Sequence, residues 1–175
     1  LVENNLHHVK ILDNEIVDFG ETQLIASTLW TNYNNQNPVV MESCRYGMND
    51  FRRIRDGNLP ITPIAIYNRH QESVTFIKNA LSSGKNSIVV SHHFPLILDR
   101  ECSAHRSDSS IIYAYGSNLE DLFHENPNVM FWVCGHTHEQ REFNISTTKL
   151  LTNARGYESY EPHLVDSFTL KAIDI

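Results

Sequence analysis

Residues 132–140 read WVCGHTHEQ, so that a very apolar stretch ends in a glycine followed by His136 and His138. A second apolar stretch ends in a similar way, because residues 87–95 read SIVVSHHFP and contain His92 and His93. Short runs of β-branched and aromatic residues such as these predict buried strands. Two buried strands that both end in histidines favour an α/β fold with a site at the ends of its strands.

Helices are predicted on either side of these strands. Thr62 and Pro63 are typical of a helix N-terminus, Gly84 is typical of a helix end, and the apolar residues between them recur at spacings of three and four. Residues 118–125 predict a second, short helix, and residues 22–30 predict a further buried strand. The alternation of helices and buried strands predicts an α/β sandwich with a partly parallel core.

The ends of the chain predict antiparallel pairing. Residues 7–12 and 15–19 are separated by an Asp-Asn pair, which favours a tight turn and therefore a short hairpin. Residues 141–145 and 149–153 predict a second hairpin, and residues 167–173 predict a last strand. With no repeat or linker, we expect residues 1–175 to form a single domain.

Composition excludes several classes of protein. The chain has 175 residues, 41% of them hydrophobic, and a net charge of −7, which argues against a general nucleic-acid-binding surface. The longest apolar stretches fall short of the roughly 20 residues that a membrane span needs. Three widely separated cysteines without CxxC spacing favour a reducing, cytoplasmic location. No pattern in the sequence specifies an oligomeric state.

The histidines at the strand ends predict a metal site. If the two strands are neighbours, His92 meets His136 and His138 at one edge of the sheet. Residues two apart on an extended backbone point the same way, so His136 and His138 can reach one site, with Gly135 allowing a sharp turn. The competing interpretation is that His136 and His138 are surface histidines in a turn. It is disfavoured because a second strand also ends in a histidine.

Six stretches of the chain, in order, resemble the calcineurin-like metallophosphoesterases, specifically the small bacterial and phage-type predicted phosphohydrolases. IVVSHHFPL is similar to the strand-histidine motif of that family, and CGHTHEQREF is similar to its GHxH motif. The stretch NLEDLFHENPNVMFWV between them is similar to the family's helix-to-strand connection. LIASTLWTNY, MNDFRRIRDG and NARGYE resemble three further stretches.

The resemblance implies a β-sandwich flanked by helices with a dinuclear metal site at its edge. By the family pattern, His92 and His136 bind one metal ion and His138 binds the other. The ions are divalent manganese, iron, zinc or nickel, and they activate a water for attack on a small-molecule phosphomonoester or phosphodiester. Asn153 and Arg155 lie in a stretch that could contact phosphate. His93 would point away from His92 on an extended backbone, so it is expected to support a ligand or face solvent.

The chain departs from the family by lacking its Asp-x-His, GDxxD and GNH motifs, which supply the bridging carboxylate and the proton donor. The sequence also begins at Leu1 and not at a methionine. We therefore expect a C-terminal portion without the N-terminal strands and helices, which carries no catalytic residue of its own and is inactive alone. Two alternatives stay open: a mononuclear three-histidine zinc hydrolase, and a non-catalytic binding module. Loops 31–60 and 94–116 are expected to select the substrate.

Overall fold

The computed structural model describes residues 9–97 and 110–173. Its main sheet has six strands in the order β1-β2-β5-β6-β8-β7, and β3 and β4 form a separate pair. The strands are β1 (Glu15–Asp18), β2 (Thr22–Ser27), β3 (Arg55–Asp56), β4 (Leu59–Pro60), β5 (Asn86–Ser91), β6 (Val129–Cys134), β7 (Gln140–Ile145) and β8 (Thr148–Asn153). The four central strands run parallel to one another, and the two edge strands, β1 and β7, run antiparallel to their neighbours.

Helices flank this sheet, and together they confirm the predicted α/β class. The helices are α1 (Tyr33–Gln36), α2 (Pro38–Gly47), α3 (Asp50–Arg53), α4 (Pro63–Leu81), α5 (Glu120–Glu125) and α6 (Pro162–Ser167), with a 3-10 helix at Ile111–Ala114. Loop 31–60 contains α1, α2 and α3, and residues 98–109 of loop 94–116 lie outside the described residues. Within the described ranges, no helix combines the length and hydrophobicity that a membrane crossing requires.

The local signals at α4 are confirmed. The Thr62 hydroxyl accepts a hydrogen bond from the Ala65 amide at 3.2 Å, and Pro63 occupies the first turn. Of the predicted apolar stripe, Ile77 and Leu81 are fully buried. The helix therefore begins and packs as its capping residues and periodicity indicate.

Two predictions about the sheet need correction, and a third, the β-sandwich, is not confirmed. β1 pairs antiparallel with β2 and not with residues 7–12, of which 7 and 8 lie outside the described residues. Residues 168–173 form no strand, since α6 and an irregular segment take their place. The two stacked sheets of a β-sandwich are not seen in the described ranges, where six strands form one continuous sheet.

Burial of His70 on α4 gives the fold a pH dependence. The side chain is 1% exposed, its Nδ1 donates to the Leu29 carbonyl at 2.9 Å, and burial lowers its pKa below the ordinary value of 6.5. The unfolded chain takes up a proton below about pH 6.5 that the folded chain resists, so acidification destabilises the fold.

We expect His70→Gln to flatten this dependence. The free energy of unfolding should fall less steeply below pH 6.5 than in the wild type, by up to about 1.4 kcal/mol per pH unit. Urea titrations between pH 5 and pH 7 measure the slope. His124→Gln is the matched control, because the His124 side chain is 58% exposed and its loss should leave the slope unchanged. Equal slopes for wild type and His70→Gln would contradict the argument.

Candidate functional site

The ends of β5 and β6 lie side by side. The two strands are parallel neighbours with Ser91 opposite Cys134, so the residues that follow them, His92 and Gly135, are adjacent. The Gly135 amide donates to the His92 carbonyl at 3.1 Å and continues the pairing by one residue beyond the strands. The sheet itself therefore brings the two histidine-bearing segments to a common edge.

Three imidazole rings contact one another at this edge. The ring centroids of His92 and His136 are 4.8 Å apart, those of His93 and His136 are 4.5 Å apart, and those of His92 and His93 are 5.0 Å apart. We call His92, His93 and His136 the histidine cluster. The structure brings the predicted ligands His92 and His136 together, while their role as ligands stays a prediction.

His136 presents one ring nitrogen without a partner. Its Nε2 is buried and has no hydrogen-bond partner among the described residues, while the ring makes a hydrogen bond with the backbone of Ala114. A carbonyl oxygen only accepts, so the other ring nitrogen, Nδ1, carries the proton, and the lone pair is on Nε2. Burial, together with His92 and His138, lowers the pKa of His136 to about 4, so the ring is neutral at pH 7.

His93 lies inside the cluster, contrary to the expectation that it would point away from the site. Residues 92 and 93 form a bend beyond β5 and not a continuation of the strand, so the alternation of an extended backbone does not apply to them. His93 Nδ1 lies 3.1 Å from the Thr28 carbonyl, and its ring packs against Trp30 with centroids 5.2 Å apart. Burial holds the pKa of His93 well below its usual range, so this ring is neutral too.

His138 lies beside the cluster but is held by other partners. The backbone at His136 and His138 has φ of 65° and 50°, so the two residues are not on one extended stretch as predicted. The His138 ring packs against Tyr157 with centroids 4.7 Å apart, and its Nδ1 lies 2.7 Å from Glu161 Oε2. It still acts electrostatically on the cluster, where it lowers the pKa of His92 and His136.

Four residues with left-handed backbone conformations lie at the strand ends beside the cluster, and others lie at Asn14, at residues 33–36 and at Ser146. Leu29 and Trp30, at the end of β2, have φ of 66° and 54°, and His136 and His138 are also left-handed. A left-handed conformation costs a side-chain-bearing residue about 1 kcal/mol or more, and such positions gather at functional sites. The glycine in the motif does not serve the turn, because Gly135 is not left-handed and His136 takes that conformation.

Two further polar groups lie near the cluster: Asp50, which the sequence marked only as a candidate for the site entrance, and Tyr115, which it did not mark. Asp50, at the start of α3, is partly buried, which raises the pKa of its carboxyl group, while His92 lowers it. Tyr115 packs on His136 with ring centroids 4.8 Å apart. Neither residue directly follows a predicted buried strand. Both lie near the cluster because of how the surrounding segments pack.

The predicted substrate contacts lie elsewhere. Asn153 Nδ2 donates to the Thr169 carbonyl at 3.0 Å, which attaches the C-terminal segment to the end of β8. Arg155 is exposed, and the described residues place no hydrogen bond or ion pair on it. The structure therefore does not bring Asn153 or Arg155 into contact with the histidine cluster, and their predicted contact with substrate stays a prediction.

Comparisons with known proteins show similarity of fold. No protein-family model matches the chain. An uncharacterized protein of Acanthamoeba polyphaga mimivirus is 27% identical over 177 residues, which cover 95% of this chain and 61% of the length of that protein. The crystal structure of phosphopantetheinyl hydrolase from Mycobacterium tuberculosis superposes with a TM-score of 0.59 and 14% identity, covering 81% of this chain and 52% of that one. The resemblance to calcineurin-like metallophosphoesterases stays a prediction.

The function predicted from the sequence, phosphoester hydrolysis at a dinuclear centre, was wrong. Among the described residues, no group of three or more His, Cys, Asp or Glu side chains is arranged to hold a metal ion. The similarity to phosphopantetheinyl hydrolase is a similarity of fold, and it gives no evidence for a dinuclear centre in this chain. The rings in mutual contact are those of His92, His93 and His136, whereas His138 packs against Tyr157 and pairs with Glu161.

Proposed function

We propose that this chain is a hydrolase domain whose histidine cluster binds a divalent transition-metal ion. The ligands are His92 and His136, with His138 close enough to act electrostatically on both, and the ions that suit imidazole nitrogens are manganese, iron, zinc and nickel. The observation that carries the proposal is the contact between three imidazole rings at the ends of two parallel strands. A hydrolase is supported by the similar fold of a solved structure that bears that name.

The donor atoms fit such an ion in their chemistry. A metal ligand must offer a lone pair, and His136 offers a buried Nε2 that no described residue occupies. The hydrogen bond from the other ring nitrogen to the Ala114 backbone fixes the ring's orientation, as supporting groups around metal-binding histidines do. A neutral cluster also suits a cation, because burial lowers the pKa of both His92 and His136.

The surroundings of the cluster are divided between a closed side and an open side. Trp30 and Tyr115 pack against the rings of His93 and His136 and exclude water there. His92 is exposed, so a substrate reaches the cluster from its side. The partly buried Asp50 carboxylate lies near enough to act on the pKa of His92, and it can orient a polar group of the substrate. A bound divalent ion would supply Lewis acidity at this edge.

Metal binding is tested by titrating the purified protein, freed of metal with a chelator, with cobalt(II), whose absorption bands report nitrogen ligation. We expect saturable binding in the wild type and at least about 100-fold weaker binding in His136→Gln, because loss of a supporting group alone costs about 10–100-fold. Chromogenic p-nitrophenyl esters of several acids then test hydrolysis. We expect the rate to fall on chelation and to return with manganese or zinc.

His124→Gln is the matched control, since it removes an exposed imidazole on α5 that makes no contact with the cluster. Binding in this variant should equal that of the wild type. Equal affinity in His136→Gln and His124→Gln would contradict the metal site. Tight binding without hydrolysis of any ester would contradict the hydrolase.

A further inference from the structure

Glu161 joins the segment that follows β8 to His138, which lies between β6 and β7. One carboxylate oxygen, Oε2, lies 2.7 Å from His138 Nδ1 and accepts a second hydrogen bond from the Tyr157 amide at 3.0 Å. The Glu161 amide in turn donates to the Tyr157 carbonyl at 2.7 Å, which closes the turn. A glutamate that receives such hydrogen bonds is a carboxylate at neutral pH.

The position of this carboxylate is tightly determined by its surroundings. Gly156 is left-handed, with φ of +74°, and a Cβ there would lie 3.0 Å from Glu161 Oε2 and 3.1 Å from Leu164. The glycine therefore provides both the turn and the space for the carboxylate. The Glu161 side chain is only 23% exposed, although the loop around it is open to solvent.

A carboxylate on Nδ1 determines which nitrogen of His138 carries the proton. An ionised carboxylate only accepts hydrogen bonds, so Nδ1 of a neutral His138 is the donor and Nε2 holds the lone pair. The opposite tautomer would place two lone pairs face to face at 2.7 Å. His136 reaches the same state through the Ala114 backbone, so the two histidines of the GHTH stretch both offer Nε2.

We infer that Glu161 is a positioning residue that fixes the Nε2-presenting tautomer and the ring orientation of His138 next to the histidine cluster. The inference rests on the proposed function, in which His138 lies beside the ligands His92 and His136. Carboxylate–histidine pairs strengthen a neighbouring ligand because the carboxylate raises the basicity of the ring. Glu161 does not follow a predicted buried strand, so no sequence motif indicates its role. The role follows from how residues 156–161 fold against His138.

The first test is two-bond ¹⁵N–¹H NMR of histidine side chains in the metal-free protein at pH 7.5, which assigns the protonated nitrogen directly. We expect His138 to be protonated at Nδ1 in the wild type and to shift mainly to Nε2 protonation in Glu161→Ala. Glu158→Gln, an exposed neighbour in the same loop, is the matched control and should leave the tautomer unchanged. A His138 tautomer unaffected by Glu161→Ala would overturn the inference.

The second test is cobalt(II) affinity in the same variants. We expect Glu161→Ala to bind about 10–100-fold more weakly than the wild type, and Glu158→Gln to bind equally. Gly156→Ala gives an independent variant, because it displaces the carboxylate without removing its charge, and it should weaken binding in the same direction. Wild-type affinity in both Glu161→Ala and Gly156→Ala would overturn the inference.

The two tests separate this inference from the proposed function. If His138 has its proton on Nδ1 through Glu161 but the wild type binds no cobalt, the proposed metal site fails and the positioning of His138 stands. If the wild type binds cobalt but His138 keeps its tautomer in Glu161→Ala, the metal site stands and the role of Glu161 is refuted.

Discussion

Replacing Trp132 by alanine is expected to lower the free energy of unfolding by about 3–5 kcal/mol, the usual cost of removing a large aromatic side chain from a core. Trp132 is 1% exposed, and its ring packs against Phe123 with centroids 5.0 Å apart. Alanine would leave a cavity between the sheet and α5 that the neighbouring strands cannot close, because their backbones are held by the parallel ladder.

The same indole also supports the histidine bend. Trp132 Nε1 donates to Ser91 Oγ at 2.9 Å, and Ser91 Oγ donates to the His93 carbonyl at 2.8 Å. Without the indole, the buried Ser91 hydroxyl loses a donor, and the segment at the end of β5 loses a constraint. Part of the stability loss therefore arises next to the histidine cluster.

Urea unfolding followed by circular dichroism measures the change. Trp132→Phe should lose clearly less, because it keeps the aromatic contact and removes only the donor and part of the volume. Phe143→Ala on the edge strand β7 is the matched surface control: Phe143 is 36% exposed, and its loss should cost about 1 kcal/mol or less. A loss below about 1 kcal/mol for Trp132→Ala would show that this indole is not central to the core.

The Gly116→Ala variant should be destabilised by about 3 kcal/mol or more, which is the upper end of the cost of overpacking. A Cβ at Gly116 would lie 2.2 Å from the Leu96 carbonyl oxygen and 2.8 Å from that of Phe94. Both contacts are with backbone atoms, which cannot rotate away. The Phe94 amide donates to the Tyr115 carbonyl and the Ser117 amide donates to the Phe94 carbonyl, so the two segments must separate to admit a methyl group.

Separation of these segments would also move Tyr115 and Ala114 away from His136. We therefore expect weaker cobalt binding in Gly116→Ala along with the lower stability. Gly135→Ala is the matched control, since its Cβ would meet the His92 carbonyl and Nδ1 at 3.7 and 3.8 Å, which are ordinary contacts. Thermal melts of both variants measure the difference. Similar stabilities for Gly116→Ala and Gly135→Ala would refute the close approach.

Much of the parallel core was predictable because its signals are local. Apolar runs marked β5 and β6, the Thr62–Pro63 cap marked the start of α4, and the stretches 141–145 and 149–153 indicated the hairpin of β7 and β8. The pairing of β1 was not predictable in this way. A turn at Asp13-Asn14 would pair β1 with residues 7–12, and a turn at Gly20, which has φ of 85°, pairs β1 with β2, and the local sequence does not choose between them.

The candidate site was predictable in part for the same reason. His92 and His136 lie directly after buried strands, and parallel strands bring such residues to one edge whatever the loops do. The directions of His93 and His138 were wrong, because the prediction assumed an extended backbone and the chain adopts a bend at 92–93 and left-handed residues at 136 and 138. Those conformations depend on packing beyond the strands.

The sequence by itself determined which segments are buried strands and that two of them end in histidines, since hydrophobic periodicity is a property of neighbouring residues. Only the tertiary structure decided which ring nitrogens are available. That choice depends on acceptors far along the chain, such as the Ala114 backbone for His136 and Glu161 for His138. A hydrogen bond joins atoms about 3 Å apart in space, and the residues that form it can be far apart in the sequence. No residue spacing therefore predicts such a bond.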